Sequence, residues 1–170
     1  MATLPILKYP DPRLTRRCEP VESFDAELDV LVADMIETMH VASGIGLAAV
    51  QVGRTEQVTV IDLSSGTDPE AVVVLVNPGI IEEEGEVAEE EGCLSFPDLI
   101  LVVPRPERVV VEAQDLRGEP FRIDAVQLMA RCLHHEIDHL QGVLFLERVS
   151  PLKQDLAQRK IAKRIRANDW

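Results

Sequence analysis

Apolar residues recur at helical spacing in two parts of the chain. The first stripe predicts a helix over residues 26–41 and consists of Leu28, Leu31, Val32, Met35, Ile36 and Met39. The second stripe consists of Leu128, Cys132, His135 and His139. Asp124 is a good N-cap for this second helix, Gln127 completes a capping box, and Gly142 follows its expected end. We therefore expect a second helix that starts at Asp124 and stops just before Gly142.

Shorter runs rich in valine and isoleucine predict β-strands between the two helices. These runs cover residues 58–63, 71–76, 80–86, 108–115 and 120–123. Turn signals occur at Asn77-Pro78-Gly79 and at Arg117-Gly118. Ser150 and Pro151 predict the start of a third helix. This order predicts an α+β fold in one domain of residues 1–170, with antiparallel strands packed around a central helix and with an N-terminal and a C-terminal helix.

Composition narrows the class of protein. The chain is 46% hydrophobic and can form a full core, but no run of 18 apolar residues predicts a membrane span. The N-terminus lacks the basic-then-apolar pattern of a signal peptide, and the three widely spaced cysteines favour a reducing compartment. We therefore expect a cytoplasmic protein with no membrane partner. The net charge of −13 argues against DNA binding by the body of the chain.

A run of seven glutamates lies between the predicted strands. We expect a solvated strand edge and loop there, because charge runs usually face water. The run consists of Glu82, Glu83, Glu84, Glu86, Glu89, Glu90 and Glu91.

The segment His135-Glu136-Ile137-Asp138-His139 carries the most informative chemistry. On a helix the two histidines lie on one face, so both rings can reach a single cation. Glu136 projects about 100° away from His135, near enough to take a proton from a water beside that cation. This H-E-x-x-H pattern is typical of metal-dependent hydrolysis. Two core histidines whose rings bond backbone carbonyls are the alternative.

A catalytic site of this kind uses a third protein ligand. The other two histidines, His40 and His134, are not at a suitable spacing, which leaves the cysteines. Cys132 lies on the helix stripe, Cys18 lies in a Pro- and Arg-rich stretch, and Cys93 follows a glycine that permits a tight backbone. The residues alone leave this choice open.

Three separated motifs together resemble the peptide deformylase family. They are Gly44-Ile45-Gly46-Leu47-Ala48-Ala49-Val50-Gln51, Glu91-Gly92-Cys93-Leu94-Ser95 and His135-Glu136-Ile137-Asp138-His139. Their type, order and spacing match the family, and residues 7–14 and 150–153 resemble its bacterial form. The resemblance thus covers nearly the whole chain. His134 is a departure, because the family pattern predicts glutamine there.

The resemblance implies one divalent metal on the central helix, held by Cys93, His135 and His139. It implies that Glu136 is the catalytic acid and base, and that the Gln51 side-chain amide and the Leu94 backbone N–H stabilise an oxyanion. The implied reaction removes the formyl group from the formyl-methionine of nascent polypeptides and releases formate. The implied metal is Fe(II), for which Zn(II), Ni(II) or Co(II) could substitute.

Substrate recognition is predicted to combine main-chain pairing with one apolar pocket. Gly46 would let an extended peptide approach and form main-chain hydrogen bonds with this chain. Such pairing depends little on the sequence of the bound peptide. The pocket for a methionine side chain would have Ile45, Leu128 and Cys132 as walls, although ordinary core residues fit the same pattern. The glycines of this motif could instead mark only a turn. We also expect an ion pair between Asp138 and Arg105 near the metal, with a solvated aspartate as the alternative.

The basic groups are concentrated near the C-terminus. Residues 150–170 carry a net charge of +4, which leaves −17 for residues 1–149. The resemblance implies that this helix docks on the ribosome, and a surface helix that merely offsets the acidic body is the alternative. The basic residues are Lys153, Arg159, Lys160, Lys163, Arg164 and Arg166.

Two other functions compete with a deformylase. Another H-E-x-x-H metal hydrolase such as a peptidase would use the same metal chemistry. A non-catalytic binding module derived from an enzyme is the third hypothesis, and the joint presence of Glu136, Cys93 and Gln51 argues against it.

Overall fold

Three α-helices and seven β-strands make up the computed structural model, which describes all residues from 1 to 170. The helices are α1 (Ala26–Val41), α2 (Gln127–Leu140) and α3 (Pro151–Arg166). The strands are β1 (Gly46–Ala48), β2 (Val58–Ile61), β3 (Val73–Glu84), β4 (Val87–Cys93), β5 (Phe96–Arg105), β6 (Arg108–Gln114) and β7 (Pro120–Val126). No helix combines the length and the apolar character needed to cross a bilayer.

The strands form two sheets in which every pair is antiparallel. One sheet has five strands in the order β1-β2-β3-β6-β7, and the other is the β4-β5 hairpin. β1 pairs only with β2, and β4 pairs only with β5. Each of these two strands therefore presents one free edge, on which main-chain N–H and C=O groups can bind another chain.

The five-stranded sheet lies between α1 and α2. Alternate residues of a strand face opposite sides, so Val58 and Val60 of β2 pack against α1 while Ile61 packs in the cluster that contains α2. In that cluster Leu133 and Ile137 of α2 meet apolar residues of β3, β6 and β7. The predicted α+β class, with antiparallel strands around a central helix, is confirmed.

Two of the three predicted helices have the expected starts. α1 covers residues 26–41, and its N-cap Asp25 accepts hydrogen bonds from two N–H groups of the first turn. Ser150 caps α3, and Pro151 occupies its first position. The predicted start of α2 is wrong. Asp124 lies in β7 and pairs with Arg108 of β6 at 2.8 Å, so α2 begins at Gln127 without a side-chain cap.

The strand predictions were correct in position but not in continuity. The expected turn at Asn77-Pro78-Gly79 is an irregularity inside β3, where the register with β6 shifts. Asn77 adopts a left-handed φ of 51°, and its side chain bonds the backbone of Val21 and the side chain of Gln114. These contacts let the strand continue through a sequence that is typical of a turn. β1, β4 and β5 were not predicted.

Both ends of the chain pack behind the cleft described below. Ala157 and Ile161 of α3 are buried in a cluster with Leu14 and Phe145. The N-terminal segment also contacts the site's scaffold, because Leu7 N–H donates to the Gln51 carbonyl at 2.7 Å. Removing α3 would therefore expose part of the core.

Candidate metal centre and active site

One turn of α2 places two imidazole nitrogens side by side. The Nε2 atoms of His135 and His139 lie 3.1 Å apart. The Sγ atom of Cys93, at the end of β4, lies 3.4 Å from His139 Nε2. One potential ligand atom from each residue lies within 4.8 Å of the other two. The three groups thus converge from two elements that are far apart in sequence.

Of the three cysteines, only Cys93 joins the histidines. Regular pairing of β4 with β5 breaks between Glu91 and Cys93, at the turn of the hairpin. Cys132 lies in the wall of the cleft, close to Gly46. Cys18 lies in a separate small cluster with Ala48, Val50 and Leu140.

This donor set fits one divalent cation. Metal–nitrogen bonds of about 2.1 Å and metal–sulfur bonds of about 2.3 Å separate tetrahedral ligand atoms by about 3.3–3.6 Å, close to the observed 3.1 and 3.4 Å. Glu91 accepts from His135 Nδ1 at 2.8 Å, which leaves Nε2 directed at the metal position. Burial alone would lower the pKa of His135, but Cys93 and Glu91 raise it to about 10 in the metal-free chain. A proton and a metal ion would therefore compete for Nε2.

Two buried side-chain atoms have no hydrogen-bond partner, and both belong to this site. They are Oε2 of Glu136 and Nδ1 of His139. Buried polar side-chain atoms are usually paired in native proteins. Glu136 lines the cleft, where a polar ligand would satisfy its Oε2, whereas Nδ1 of His139 lies on the opposite side of the ring from Nε2, which faces the other two donor atoms.

A buried arginine contacts the residues that hold the candidate metal ligands in place. Arg105, which is 1% exposed, donates to both carboxylate oxygens of Glu91 at 2.8 and 2.9 Å. Arg105 Nη1 also donates to Asp138 at 2.6 Å, and Arg148 donates to the same carboxylate at 2.6 and 3.0 Å. Although burial raises the pKa of Glu91, His135 and Arg105 lower it to about 2, so Glu91 stays ionised. The predicted Asp138–Arg105 ion pair is confirmed.

Glu91 is a residue that the sequence prediction missed. The glutamate run is solvated as expected at most of its positions, but the prediction is wrong for Glu91, whose side chain is only 10% exposed. The available signal was strand alternation, because Glu91 and Cys93 are two residues apart and both turn inward. Because Glu91 stands in a run of glutamates that mostly face water, the sequence did not indicate that its partner is the buried Arg105.

A cleft of about 330 Å³ opens beside the three ligands. Its walls come from β1 and the loop before it, from β4 with the turn that follows, and from α2. Nine of the ten predicted site residues line it: Ile45, Gly46, Gln51, Cys93, Leu94, Leu128, Cys132, His135 and Glu136. The tenth, His139, is 1% exposed and lies behind this wall. Arg131, one turn before His135, also lines the cleft and was not predicted.

Gln51 is held rigidly at the side of the cleft. Its Oε1 accepts from the Ala48 N–H at 2.9 Å. Its Nε2 donates to Ser95 Oγ at 3.1 Å and lies 3.7 Å from Cys93 Sγ. The side chain is 1% exposed, so these contacts leave its amide donor in one orientation beside the thiol.

Glu136 lies against the backbone of β1. A Cβ atom at Gly46 would overlap the Glu136 carboxylate and would lie 3.1 Å from Cys132 Sγ. Gly46 is therefore part of an edge strand at which no side chain fits, rather than only a turn residue. Burial raises the pKa of Glu136 to about 7, which suits a group that takes up and returns a proton near neutral pH.

Comparison with known proteins identifies the family of this chain. The family model described as polypeptide deformylase matches residues 3–155. The peptide deformylase of Acidobacterium capsulatum is 53% identical over 170 residues, which is 100% of both chains. The chain belongs to the peptide deformylase family. A Legionella pneumophila deformylase structure shares 45% identity at a TM-score of 0.91 and 98% coverage of each chain. The Synechococcus elongatus deformylase, solved in complex with actinonin, shares 41% identity at a TM-score of 0.90, covering 95% of this chain and 89% of that one.

Membership of the deformylase family bears on the competing functions. The named relatives are enzymes and match this chain over its whole length, so the chain is a hydrolase and the hypothesis of a non-catalytic module is wrong. The alternative of another metal hydrolase or peptidase is not favoured. Deformylases are metalloenzymes, and Cys93, His135 and His139 form a candidate metal site in this chain.

Proposed function

We propose that the chain removes the formyl group from the N-terminal formyl-methionine of new polypeptides and releases formate. One observation carries this proposal: a thiol, two imidazoles and an unpaired buried carboxylate adjoin a cleft between two strands with free edges. We further infer that residues 1–170 act as one catalytic domain, because α3 and the N-terminal segment share one buried cluster with the β4-β5 hairpin.

The metal would be held by Cys93, His135 and His139. When bound, it would supply Lewis acidity that polarises the formyl carbonyl and lowers the pKa of a water. We propose Fe(II) in the cell, with Zn(II), Ni(II) or Co(II) as substitutes, because thiolate and imidazole ligands accept all four. A thiolate ligand must stay reduced, which agrees with a cytoplasmic location.

Glu136 would carry the proton through the reaction. Its carboxylate takes a proton from the water that attacks the formyl carbon. The C–N bond then breaks, and the same proton passes to the departing amine, which leaves formate and a free N-terminus. The raised pKa of Glu136 supports both halves of this exchange.

Two donors would stabilise the negative oxygen that develops on the formyl group. The Gln51 amide supports this role, because Ala48 and Ser95 fix its orientation. The Leu94 N–H belongs to the turn that follows Cys93 in the cleft wall. Donors that are already oriented need no rearrangement during the reaction, and one such donor contributes about 3–4 kcal/mol.

An extended peptide would bind between the free edges of β1 and β4. Main-chain hydrogen bonds to both edges would hold many different sequences. Selectivity would then depend on the first side chain, for which Ile45, Leu128 and Cys132 offer apolar surface in the cleft wall. Leu128 is 43% exposed, which agrees with a pocket wall better than with a core position.

A panel of three peptides tests the proposed reaction. We expect a formyl-methionyl tripeptide to give formate and free amine in equal amounts, and the unformylated peptide to remain intact. A peptide with formyl-aspartate in first place should react at least tenfold more slowly, because its charge would be buried against apolar walls. Cleavage of the unformylated peptide would contradict a deformylase. Equal rates for the two formylated peptides would contradict the pocket.

We also propose that α3 contacts the ribosome, where nascent chains emerge. Five of its six basic residues are exposed. The sixth, Arg164, makes contacts within the protein: it donates to the Pro97 carbonyl at 2.7 Å and its guanidinium lies over the Trp170 ring. The exposed group consists of Lys153, Arg159, Lys160, Lys163 and Arg166.

Reversing three exposed charges of α3 should weaken ribosome binding without affecting the chemistry. We expect the combination of Arg159→Glu, Lys160→Glu and Lys163→Glu to weaken co-sedimentation, and the salt slope to fall by about one for each phosphate that is no longer neutralised. Hydrolysis of a short formyl peptide should not change. The matched control also reverses three exposed arginines, Arg17, Arg117 and Arg122, none of which belongs to α3. Equal effects of the two sets would refute a specific role for α3.

A further inference from the structure

His134 adjoins a predicted metal ligand but does not line the cleft. It is 6% exposed, and both of its ring nitrogens face polar groups. Nδ1 lies 2.8 Å from Nη1 of Arg105, and Nε2 lies 3.3 Å from a carboxylate oxygen of Glu83 in β3. The reaction as proposed above does not use this buried imidazole.

The partners of His134 determine where its proton lies. A guanidinium group has only donors, so the nitrogen that meets Arg105 must be an acceptor without hydrogen. The proton is then on Nε2, which lies 3.3 Å from a carboxylate oxygen of Glu83 without forming a hydrogen bond to it. His134 is therefore a neutral tautomer whose Nδ1 accepts from Arg105.

The acceptor on His134 takes one of the two Nη1 hydrogens of Arg105. The other Nη1 hydrogen is directed at Asp138. Nε and Nη2 of the same guanidinium donate to the two oxygens of Glu91, and Nη2 also lies 3.3 Å from Nδ1 of His135. Glu91 in turn accepts from Nδ1 of His135, whose Nε2 faces the metal position.

We propose that His134 is a positioning residue for the metal centre, resting on the proposed function above. By accepting from Arg105 it fixes the plane of a buried guanidinium, and that plane fixes Glu91 against His135. Without this acceptor, one Arg105 hydrogen would be buried and unpaired, and the guanidinium would turn to find a partner. This rotation of the guanidinium would leave Glu91 less firmly held. The His135 imidazole, which would bind the metal, would then lose its fixed orientation.

Metal affinity of the full chain tests this role in the absence of substrate. His134→Leu removes the acceptor, whereas His134→Gln restores an amide oxygen that can accept from Arg105. We expect His134→Leu to bind Co(II) or Zn(II) about tenfold more weakly in chelator competition, at the lower end of the range for partners of a metal ligand. His134→Gln should bind within about twofold of the unchanged chain, since it regains the acceptor for Arg105.

Controls separate positioning from general stability. His40→Leu removes a half-buried imidazole that does not line the cleft and whose Nε2 lies 2.7 Å from Asp62, and this change should leave metal affinity unchanged. The Co(II) absorption spectrum should change in His134→Leu and not in His40→Leu. Where His134→Leu does not fold, His134→Met serves as the second variant without a nitrogen or oxygen acceptor.

The outcomes distinguish this inference from the proposed function. Equal metal affinity and identical Co(II) spectra in His134→Leu, His134→Gln and the unchanged chain would overturn the positioning role. Equal losses in His134→Leu and His134→Gln would overturn it too. An unchanged chain that binds metal but releases no formate would instead contradict the deformylase activity and would leave the metal measurements valid.

Discussion

Replacement of Glu136 by glutamine should leave metal binding intact and lower formate release by up to ~10⁴-fold, the upper range for loss of a general acid and base. Glutamine has nearly the same shape, so the close contact with Gly46 and the position beside His135 should persist. It cannot take up a proton from water. The measurement is kcat for a formyl-methionyl peptide, together with metal content per chain.

Stability gives a second result for the same Glu136→Gln variant. The pKa of Glu136 is raised from 4.5 to about 7, so ionisation opposes folding, and the metal-free chain should lose stability as the pH rises through this range. Glutamine removes that penalty, and the metal-free variant should be at least as stable as the unchanged chain above pH 7. Glu90→Gln is the matched control, because Glu90 lines the cleft but is exposed. A fully metal-loaded Glu136→Gln enzyme with normal turnover would refute the role of Glu136.

Replacement of Cys93 by alanine should abolish both metal retention and activity. Cys93 is the one cysteine whose sulfur joins the donor cluster with the two imidazoles, and as a metal ligand it would supply the negative charge of the set. We expect a loss of affinity beyond the ~10–100-fold that follows removal of a partner behind a metal ligand. Metal content after dialysis and formate release are the two measurements.

Cys18→Ala is the matched control for Cys93→Ala. Cys18 is buried in a separate cluster, and burial raises the pKa of its thiol to about 11, so it remains a neutral apolar group. Its removal should cost some stability by leaving a small cavity, but should leave metal content unchanged. Equal metal content in the Cys93 and Cys18 variants would contradict the proposed ligand set.

Sequence reasoning was effective where local geometry decides the outcome. Residues four apart on a helix must share a face, so the convergence of His135 and His139 followed from their spacing. The start of α3 followed from residue type in the same way, because Ser150 caps it and Pro151 occupies its first position. By contrast, convergence of Cys93 with these rings depends on how the β4-β5 hairpin packs, and spacing alone left three cysteines open.

The errors share a physical cause, which is competition from distant partners. Asp124 has the right chemistry for a helix cap, but Arg108 on the neighbouring strand binds its carboxylate instead. Asn77 belongs to a turn signal, yet bonds to Val21 and Gln114 keep it within a strand. Glu91 was predicted to be one of seven solvated glutamates, because the sequence does not show that Arg105 is buried beside it. None of these partners is close in sequence.

A bound metal ion would also stabilise the fold, because its ligands come from two separate parts of the structure. Cys93 lies 46 residues before His139, so an ion held by both would act as a reversible cross-link between the β4-β5 hairpin and α2. Ligand binding to the native state alone adds about 2.7 kcal/mol at a concentration of 100 times Kd. Oxidation of the Cys93 sulfur would therefore remove this cross-link and abolish activity in the same step.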